Sequence, residues 1–215
     1  MLYKESVTPA ILDLIKSLQS RNYLSGFYLV GGTALALQMG HRKSDDIDLF
    51  CNFDFEPAGM LELIHADFPF QINAISFNTL KGSIFNIKVD ILAHRYTYLQ
   101  DPVTVSDIRV LSLPDIIAMK LNAISTSGQR SKDFVDIYYL LDKYSIHSML
   151  SFYLSKYSQQ NESIVLKSLI YFQDVDLSDW PKLIQNPGLK WTDVKKKIEK
   201  AVLTYIKNPH KPYPN

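Results

Sequence analysis

Residues 27–50, FYLVGGTALALQMGHRKSDDIDLF, constrain the fold of this chain more than any other segment. The apolar residues 27–30 have the length and composition of a buried strand. Two glycines and a threonine follow, then a helical pattern over residues 34–39 and a polar loop over residues 41–44. A second strand pattern over residues 46–50 closes the segment. This order predicts a strand, a glycine turn, a short helix and a second strand.

The second strand carries two aspartates. Side chains two residues apart on a strand point to the same face, so Asp46 and Asp48 are predicted to share one face. Their Cα atoms would then lie about 6.6 Å apart. This spacing suits carboxylates that flank two Mg²⁺ ions about 3.5–4 Å apart. A divalent cation would also remove the repulsion between the two carboxylates.

The glycine turn predicts an anion site. Gly31 and Gly32 have no Cβ, so a ligand can approach their backbone closely. Thr33 is a favourable N-cap for the helix that follows. A turn that leads into a helix N-terminus offers N–H groups to a phosphate. Together the two features are what a nucleoside triphosphate (NTP) with Mg²⁺ requires.

The pattern GGT at residues 31–33 followed by HRxSxDxD at residues 41–48 resembles the AbiEii/AbiGii toxin family. This family is a branch of the polymerase-β-like nucleotidyltransferase superfamily. The commonest superfamily form has Gly-Ser after the strand, whereas Thr33 here follows two glycines, as in the AbiEii-like branch. The resemblance extends across roughly residues 25–205. It implies transfer of a nucleoside monophosphate from an NTP to an acceptor hydroxyl, with two Mg²⁺ ions as cofactor.

The resemblance also implies a biological setting. Such an enzyme is the toxin of a bacterial toxin–antitoxin or abortive-infection system. Its expected partners are an NTP, an RNA acceptor modified at a tRNA 3′ end, and a cognate antitoxin protein. The loop ahead of the acidic pair adds Arg42 and Ser44. A loop arginine is most often solvated, but the resemblance implies that five residues bind nucleotide: Gly31, Gly32, Thr33, Arg42 and Ser44.

A third aspartate falls in a strand pattern over residues 84–92, IFNIKVDIL. Asp90 stands among apolar neighbours, where a carboxylate is costly unless it is paired or bound to a metal. Neighbouring strands lie about 4.8 Å apart, so pairing with the 46–50 strand would complete a three-carboxylate cluster. The alternatives are an edge-strand aspartate that faces water and an aspartate bonded to a loop amide. The family carries its third catalytic carboxylate on such a strand, which implies Asp46, Asp48 and Asp90 as catalytic metal ligands.

The remaining N-terminal patterns predict a sheet with flanking helices. We expect a helix capped by Thr8 with Pro9 as its first residue, a helix opened by Pro57, a strand over residues 70–77, a turn over residues 80–83 and a strand over residues 104–111. Helical patterns follow over residues 114–125, 131–143, 146–159, 162–172 and 192–207. The predicted class is α/β (α+β). A nucleotidyltransferase-type mixed sheet would span residues 1–112, and a C-terminal helical bundle residues 113–215.

Lys120 projects from the apolar face of its predicted helix. Its stem could cover the core while its ammonium reaches water, or its charge could serve a triphosphate. AbiEii-like proteins have a lysine in a D-x-x-A-x-K context like that of residues 115–120. The resemblance therefore implies Lys120 as a catalytic and nucleotide-binding residue.

The next helix opens with RSKDFVD, residues 130–136. Ser131 is a predicted N-cap. Asp133 lies in the predicted first turn, where its negative charge would interact favourably with the helix dipole and stabilise the helix by about 0.3–1 kcal/mol. Asp136 shares a face with apolar residues and is expected to point inward. The family has an Arg-x-x-Asp element here. It implies Arg130 as a phosphate ligand and Asp133 as a catalytic base or a partner of the lysine.

Charge is unevenly distributed along the chain. The formal net charge is +1, yet residues 181–215 contain eight lysines against one aspartate and one glutamate. Such a segment could contact RNA, although a solvated helix face has the same composition. The single cysteine, Cys51, excludes an internal disulfide and suits a reducing compartment.

No apolar run has the composition of a signal peptide or the roughly 20 residues that cross a bilayer, so we expect a cytoplasmic protein with no membrane partner. Two other functions stay open. The same scaffold could modify a small molecule or a protein hydroxyl, or the chain could bind nucleotide or RNA without catalysis. The presence of all three carboxylates favours an enzyme.

Overall fold

The computed structural model describes residues 2–158 and 161–208. The chain divides into two compact units, Met1–Ser112 and Leu113–Asn215. Every strand among the described residues belongs to the first unit, and the second is helical. The predicted mixed α/β class is therefore confirmed.

The first unit contains three α-helices, two short 3-10 helices and a seven-stranded sheet in its described part. The helices are α1 (Pro9–Gln19), α2 (Gly31–Met39) and α3 (Pro57–Asp67). The strands are β1 (Tyr28–Leu29), β2 (Ile47–Cys51), β3 (Phe70–Ser76), β4 (Thr79–Ile84), β5 (Ile87–Ala93), β6 (Val103–Val105) and β7 (Ile108–Val110).

The sheet is mixed and has the order β3-β4-β5-β2-β1-β7-β6. Strands β3, β4 and β5 form an antiparallel meander. Strand β2 pairs parallel with β5 and antiparallel with β1. Consequently β2 and β5, which carry the predicted carboxylates, are neighbours near the middle of the sheet.

Local signals set the starts of two helices as predicted. The Thr8 side chain accepts a hydrogen bond of 3.3 Å from the Ile11 N–H, and Pro9 is the first residue of α1. Pro57 likewise begins α3, after Glu56 accepts hydrogen bonds from the N–H groups of Ala58 and Gly59. Proline suits these positions because its missing N–H would have no helical partner there.

The predicted turn over residues 80–83 is wrong, because these residues lie inside β4. The chain turns instead at residues 77–78 and 85–86, where Asn78 and Asn86 adopt positive φ angles of 55° and 63°. Two-residue hairpin turns of this kind favour asparagine. Gly82 has a packing role, since a Cβ there would overlap the carbonyl oxygen of Gln71.

Two other strand predictions are corrected by the same turns. Residues 84–92 do not form one strand, since β4 ends at Ile84 and β5 begins at Ile87. Residues 104–111 form the β6–β7 hairpin, because Ser106 and Asp107 turn the chain with φ angles of 53° and 65°. Both predictions treated a hairpin turn as strand, since neither turn contains glycine or proline.

The second unit contains the helices α4 (Leu113–Thr126), α5 (Ser131–Leu140), α6 (Ile146–Lys156), α7 (Glu162–Leu169) and α8 (Trp191–Lys207). Helix α5 ends three residues before its predicted end because the N–H groups of Asp142 and Lys143 bond three residues back rather than four. Helix α6 ends at Lys156, before its predicted end at residue 159, which itself lies outside the described residues. In the part of the chain that the structure describes, no helix is both long and apolar enough to span a membrane.

Candidate active site

Asp48 and Asp90 form the centre of the candidate site. They are register partners in the parallel ladder between β2 and β5, so their side chains leave the same face of the sheet. Ile47 and Leu49 point the other way and are fully buried. Asp46 directly precedes β2 and is partly buried. The predicted pairing with the Asp90 strand is confirmed, and so is the alternation within β2. The predicted strand over residues 46–50 is shifted by one residue to Ile47–Cys51, so Asp46 lies outside the strand that carries Asp48.

The glycine turn lies directly against Asp48. Gly31 has a φ angle of 69°, in the left-handed region that favours glycine. A Cβ on Gly31 would overlap the Asp48 carboxylate, and a Cβ on Gly32 would lie 2.5 Å from Nη2 of Arg42 and 3.5 Å from Oγ of Ser44. Because neither glycine has a Cβ, the backbone at the start of α2 lies close to the Asp48 carboxylate, the Arg42 guanidinium and the Ser44 hydroxyl.

Thr33 has a different local role from the one predicted. Helix α2 begins at Gly31 with Val30 at the N-cap position and no side-chain cap, so Thr33 lies inside the first turn. Its hydroxyl donates to Oγ of Ser44 at 2.9 Å and also contacts the carbonyl oxygen of Asp46. Thr33 thus ties the helix to the loop that carries Asp46. The first-turn N–H groups have no partners within the helix and remain suited to an anion.

Arg42 is buried, with a relative exposure of 2%. Its Nη1 donates to the carbonyl oxygen of Lys43 at 3.0 Å, and its Nη2 lies beside Gly32. The solvated alternative for this loop arginine is wrong. Burial fixes a positive charge beside the start of α2, where an anionic ligand would be attracted.

Lys81 and Lys88 complete the charge pattern, and the sequence analysis did not identify them. The Lys88 ammonium lies 3.3 Å from Oδ2 of Asp90, and that of Lys81 lies 3.8 Å from the same atom. Burial alone would lower the pKa of Lys88. The negative charges of Asp90, Asp46 and Asp48 have the larger combined effect, so the pKa of Lys88 is raised overall. The spacing of Lys88 two residues before Asp90, on the same strand face, was the available signal.

The residues present are suited to a divalent cation. In residues 2–158 and 161–208 no three histidine, cysteine or carboxylate side chains converge tightly enough to hold one ion. However, Oδ1 of Asp90 is buried and lacks a hydrogen-bond partner. Carboxylate oxygens are the ligands that Mg²⁺ takes. The site therefore offers an oxygen ligand of the right type, Oδ1 of Asp90, while the lysine ammonium groups contact the other oxygen, Oδ2.

The second unit holds a separate cluster of buried charges. Nζ of Lys120 lies 2.6 Å from Oδ1 of Asp133 and 2.6 Å from Oδ2 of Asp136. The side chains of all three residues are at most 8% exposed. The prediction that Lys120 leaves the apolar face is confirmed, and the alternative in which its ammonium reaches water is wrong. Asp133 is a partner of the lysine, and Asp136 points inward as expected.

Other predicted features of this unit differ. Ser131 is the first residue of α5 rather than its N-cap, and its N–H and hydroxyl both donate to Oδ1 of Asp179. Arg130 occupies the N-cap position and is exposed. The sequence analysis also missed a fully buried ion pair, in which Nζ of Lys156 lies 2.7 Å from Oδ1 of Asp115.

The lysine-rich C-terminal segment is only partly free for a ligand. Nζ of Lys197 lies 2.6 Å from Oδ1 of Asp142 and 4.1 Å from the centre of the Tyr138 ring. Lys196 and Lys200 are exposed on α8. Residues 209–215 of this segment lie outside the described residues. The expected RNA contact of the segment stays a prediction.

Comparison with known proteins decides the family. Residues 13–204 match the family described as "Nucleotidyl transferase AbiEii toxin, Type IV TA system". The chain belongs to this family. It is therefore a nucleotidyltransferase, as the resemblance of its glycine and aspartate pattern predicted.

Individual proteins similar to this AbiEii-family chain cover nearly all of it. An uncharacterized protein of Aquifex aeolicus strain VF5 is 28% identical over 208 residues, which are 91% of this chain and 96% of that protein. The crystal structure of a candidate nucleotidyltransferase from H. pylori superposes with a TM-score of 0.57 at 14% identity, covering 95% of both chains. The structure of JHP933 from Helicobacter pylori gives a TM-score of 0.55 at 17% identity, covering 94% of both. Both structures support the fold.

Proposed function

We propose that this enzyme transfers the nucleoside monophosphate of an NTP to a hydroxyl of RNA, at a tRNA 3′ end, with Mg²⁺ as cofactor. The observation that carries the proposal is the position of Asp48, which has Asp90 beside it on β5 and the backbone of Gly31 against its carboxylate. A phosphate held by the glycine turn would therefore lie next to the acidic centre.

The first-turn residues of α2 would bind the triphosphate. The N–H groups of Gly31, Gly32 and Thr33 belong to the first turn of α2, where the helix dipole favours a negatively charged ligand. The buried Arg42 guanidinium and the Ser44 hydroxyl border Gly32 and would contact the same phosphates. Fixed donors of this kind need little reorganisation during the reaction.

The three carboxylates would organise the reacting groups. Asp46, Asp48 and Asp90 would hold two Mg²⁺ ions, which when bound neutralise the triphosphate and lower the pKa of the attacking hydroxyl. The hydroxyl oxygen then forms a bond to the α-phosphorus as the α–β bridging P–O bond breaks, and pyrophosphate leaves with the electron pair. The hydroxyl proton leaves towards the carboxylate of Asp90. The chain supplies positioning and charge, which are the main requirements of phosphoryl-type transfer.

Lys120, Asp133 and Arg130 are proposed contributors from the second unit. The ion pairs of Lys120 with two carboxylates hold its ammonium at one position, which supports a role as a fixed charge rather than a mobile one. Asp133 would orient that ammonium or act as a base. The exposed guanidinium of Arg130 at the start of α5 would contact a phosphate.

We further propose that the enzyme acts in the cytoplasm as the toxin of a toxin–antitoxin system and that a cognate antitoxin protein opposes it. Support comes from the family, whose description names a type IV toxin–antitoxin system. Expression of the chain alone should then inhibit growth. Co-expression of the antitoxin encoded beside it should restore growth.

The acceptor can be identified by labelled-nucleotide transfer. Full-length protein with Mg²⁺ and each of the four α-labelled NTPs is incubated with total tRNA, with cell protein and with small-molecule extract. Label in the tRNA pool, removed by digestion at the 3′ end, is expected. Label only in the protein or small-molecule pool would contradict an RNA acceptor, and label in no pool would favour a binding module without catalysis.

A further inference from the structure

Lys81 and Lys88 lie on the same face of the sheet as the acidic centre. Lys81 on β4 is the register partner of Asp90 on β5, and Asp90 is the register partner of Asp48 on β2. Lys88 is two residues before Asp90 on β5 and therefore shares its face. The neighbouring strands β4, β5 and β2 thus place Lys81, Asp90 and Asp48 side by side in one row across the sheet.

Both ammonium groups can be reached by a solute. The side chains of Lys81 and Lys88 are 43% and 51% exposed, whereas that of Asp90 is 8% exposed. Both ammonium groups contact the same atom, Oδ2 of Asp90, and each has three N–H donors, so donors remain for another anion.

The strand order places the lysines opposite the glycine turn. Strand β1 and the start of α2 lie on one side of β2, while β5 and β4 lie on the other. In phosphoryl-type transfer the attacking and leaving oxygens are roughly in line with the phosphorus. With pyrophosphate leaving on the glycine side, the attacking hydroxyl arrives from the side of Asp90, Lys81 and Lys88.

We propose that Lys81 and Lys88 bind a backbone phosphate of the acceptor and that the acceptor is consequently a nucleic-acid strand rather than a neutral small molecule. This inference rests on the proposed function, because it takes the acidic centre as the site of transfer. A lysine ammonium binds phosphate as a point charge without reading a base. The two residues therefore position the strand and leave base selection to other contacts.

Binding of RNA to full-length protein tests the proposal directly. The probe is a fluorescein-labelled single-stranded RNA of about 12 nucleotides with a free 3′ hydroxyl, which exceeds the smallest single-strand sites. Its anisotropy is followed over a salt series without NTP. The variants are Lys81→Met, Lys88→Met, the double variant and Lys88→Arg. Lys16→Met is the matched control, because Lys16 lies on α1 and pairs with Asp107 at 3.7 Å.

Each methionine variant should weaken binding several-fold at low salt and should reduce the slope of log affinity against log salt by about 0.7, the value for one phosphate contact on a single strand. The double variant should lose about twice that slope. Lys88→Arg, which keeps the charge, and Lys16→Met should both retain the wild-type slope. Unchanged slopes in the methionine variants, or an equal loss in Lys16→Met, would overturn the proposal.

A second measurement separates acceptor binding from support of the acidic centre. Binding of Mn²⁺ to the same proteins is followed by electron paramagnetic resonance. Lys88→Met should bind Mn²⁺ at least as tightly as wild type, because a competing cation has been removed. Weaker Mn²⁺ binding in this variant would show that Lys88 holds the carboxylates in place, and the acceptor role would then fail.

The outcome for the lysines is distinguishable from the outcome for the proposed function. If wild type transfers label to RNA while the lysine variants keep the wild-type salt slope and the wild-type KM for RNA, only the lysine assignment fails. If wild type transfers no label but the variants lose slope as expected, the RNA contact stands and the transfer chemistry fails. If both hold, the double variant raises KM for RNA and leaves KM for the NTP unchanged.

Discussion

Asp48 and Asp90 lie side by side because β2 and β5 pair in parallel with these two residues in register. The chain between them forms α3 and the β3–β4 hairpin before β5 returns to β2. Two carboxylates that are 42 positions apart in the sequence thereby reach one face of the sheet. This pairing turns two separate motifs into one candidate site.

Gly31 should not tolerate a side chain. Gly31→Ala places a Cβ on a residue with a φ angle of 69° and into the Asp48 carboxylate. The left-handed conformation alone costs about 1–2 kcal/mol in the free energy of unfolding, and displacement of Asp48 should abolish NTP-dependent transfer. Urea unfolding and transfer assays measure the two effects. Gly188→Ala is the control, since a Cβ there would make only an ordinary contact, 3.9 Å from Oδ1 of Asn186. Equal behaviour of the two variants would contradict the proposed packing.

Lys120 should matter more to stability than either of its partners. Lys120→Met leaves two buried carboxylates without their shared cation, and removing one member of a buried pair costs about 3–5 kcal/mol. Asp133→Asn should cost less, because Asp136 still pairs with the ammonium at 2.6 Å. Denaturant unfolding of the two variants gives the comparison. A smaller loss in Lys120→Met than in Asp133→Asn would show that the ammonium is not the common partner.

The buried pair of Lys156 and Asp115 should behave as a coupled unit. Both side chains are 0% exposed, so Lys156→Met removes the cation that pairs with the buried Asp115 carboxylate. This change should lower the free energy of unfolding by about 3–5 kcal/mol. Lys156→Met combined with Asp115→Leu should recover part of this loss, because both charges are then absent. Denaturant titrations of the two single variants and the double variant complete the cycle. Simple additivity would mean that the two side chains do not interact.

Glu56 should make the stability of the first unit depend on pH. Hydrogen bonds from the N–H of Gly59 and then of Ala58 hold the pKa of Glu56 below its ordinary value. A lowered folded-state pKa stabilises the protein above the unfolded-state pKa of about 4.3, and this contribution is lost as pH falls through the folded-state value. Thermal melts of wild type and Glu56→Gln should therefore differ at pH 7, and the difference should shrink as the pH falls below about 4.3. A constant difference in Tm across that range would exclude the carboxylate as the cause.

Some of this site was predictable from sequence because its signals are local. The alternation around Asp48 follows from strand geometry, and Asp90 is conspicuous because a carboxylate among apolar strand residues needs a partner. The hairpin turns at residues 77–78 and 85–86 were missed, since asparagine at positive φ is a weaker signal than glycine. Lys88 was missed because an exposed lysine on a strand is common; its spacing from Asp90 was visible in the sequence, but the neighbouring Asp48 and Lys81 are known only from the strand register.

The buried ion pairs illustrate a second limit. Asp115 and Lys120 are close in sequence and share one motif, yet they pair with different partners, Lys156 and the two aspartates of α5. Which charges meet inside a helical unit depends on helix packing, and sequence spacing does not specify it. The motif therefore located buried charges correctly but gave no account of Asp115.

The position of the label in the NTP tests the central claim most directly. Wild type and Asp48→Asn are incubated with Mg²⁺, total tRNA and an NTP labelled at either the α- or the γ-phosphate, and the products are separated. Wild type should place the α label in RNA and the γ label in pyrophosphate, and Asp48→Asn, with an unchanged Tm, should do neither. Transfer of the γ label to RNA, or undiminished α-label transfer by Asp48→Asn, would contradict nucleotidyl transfer at this acidic centre.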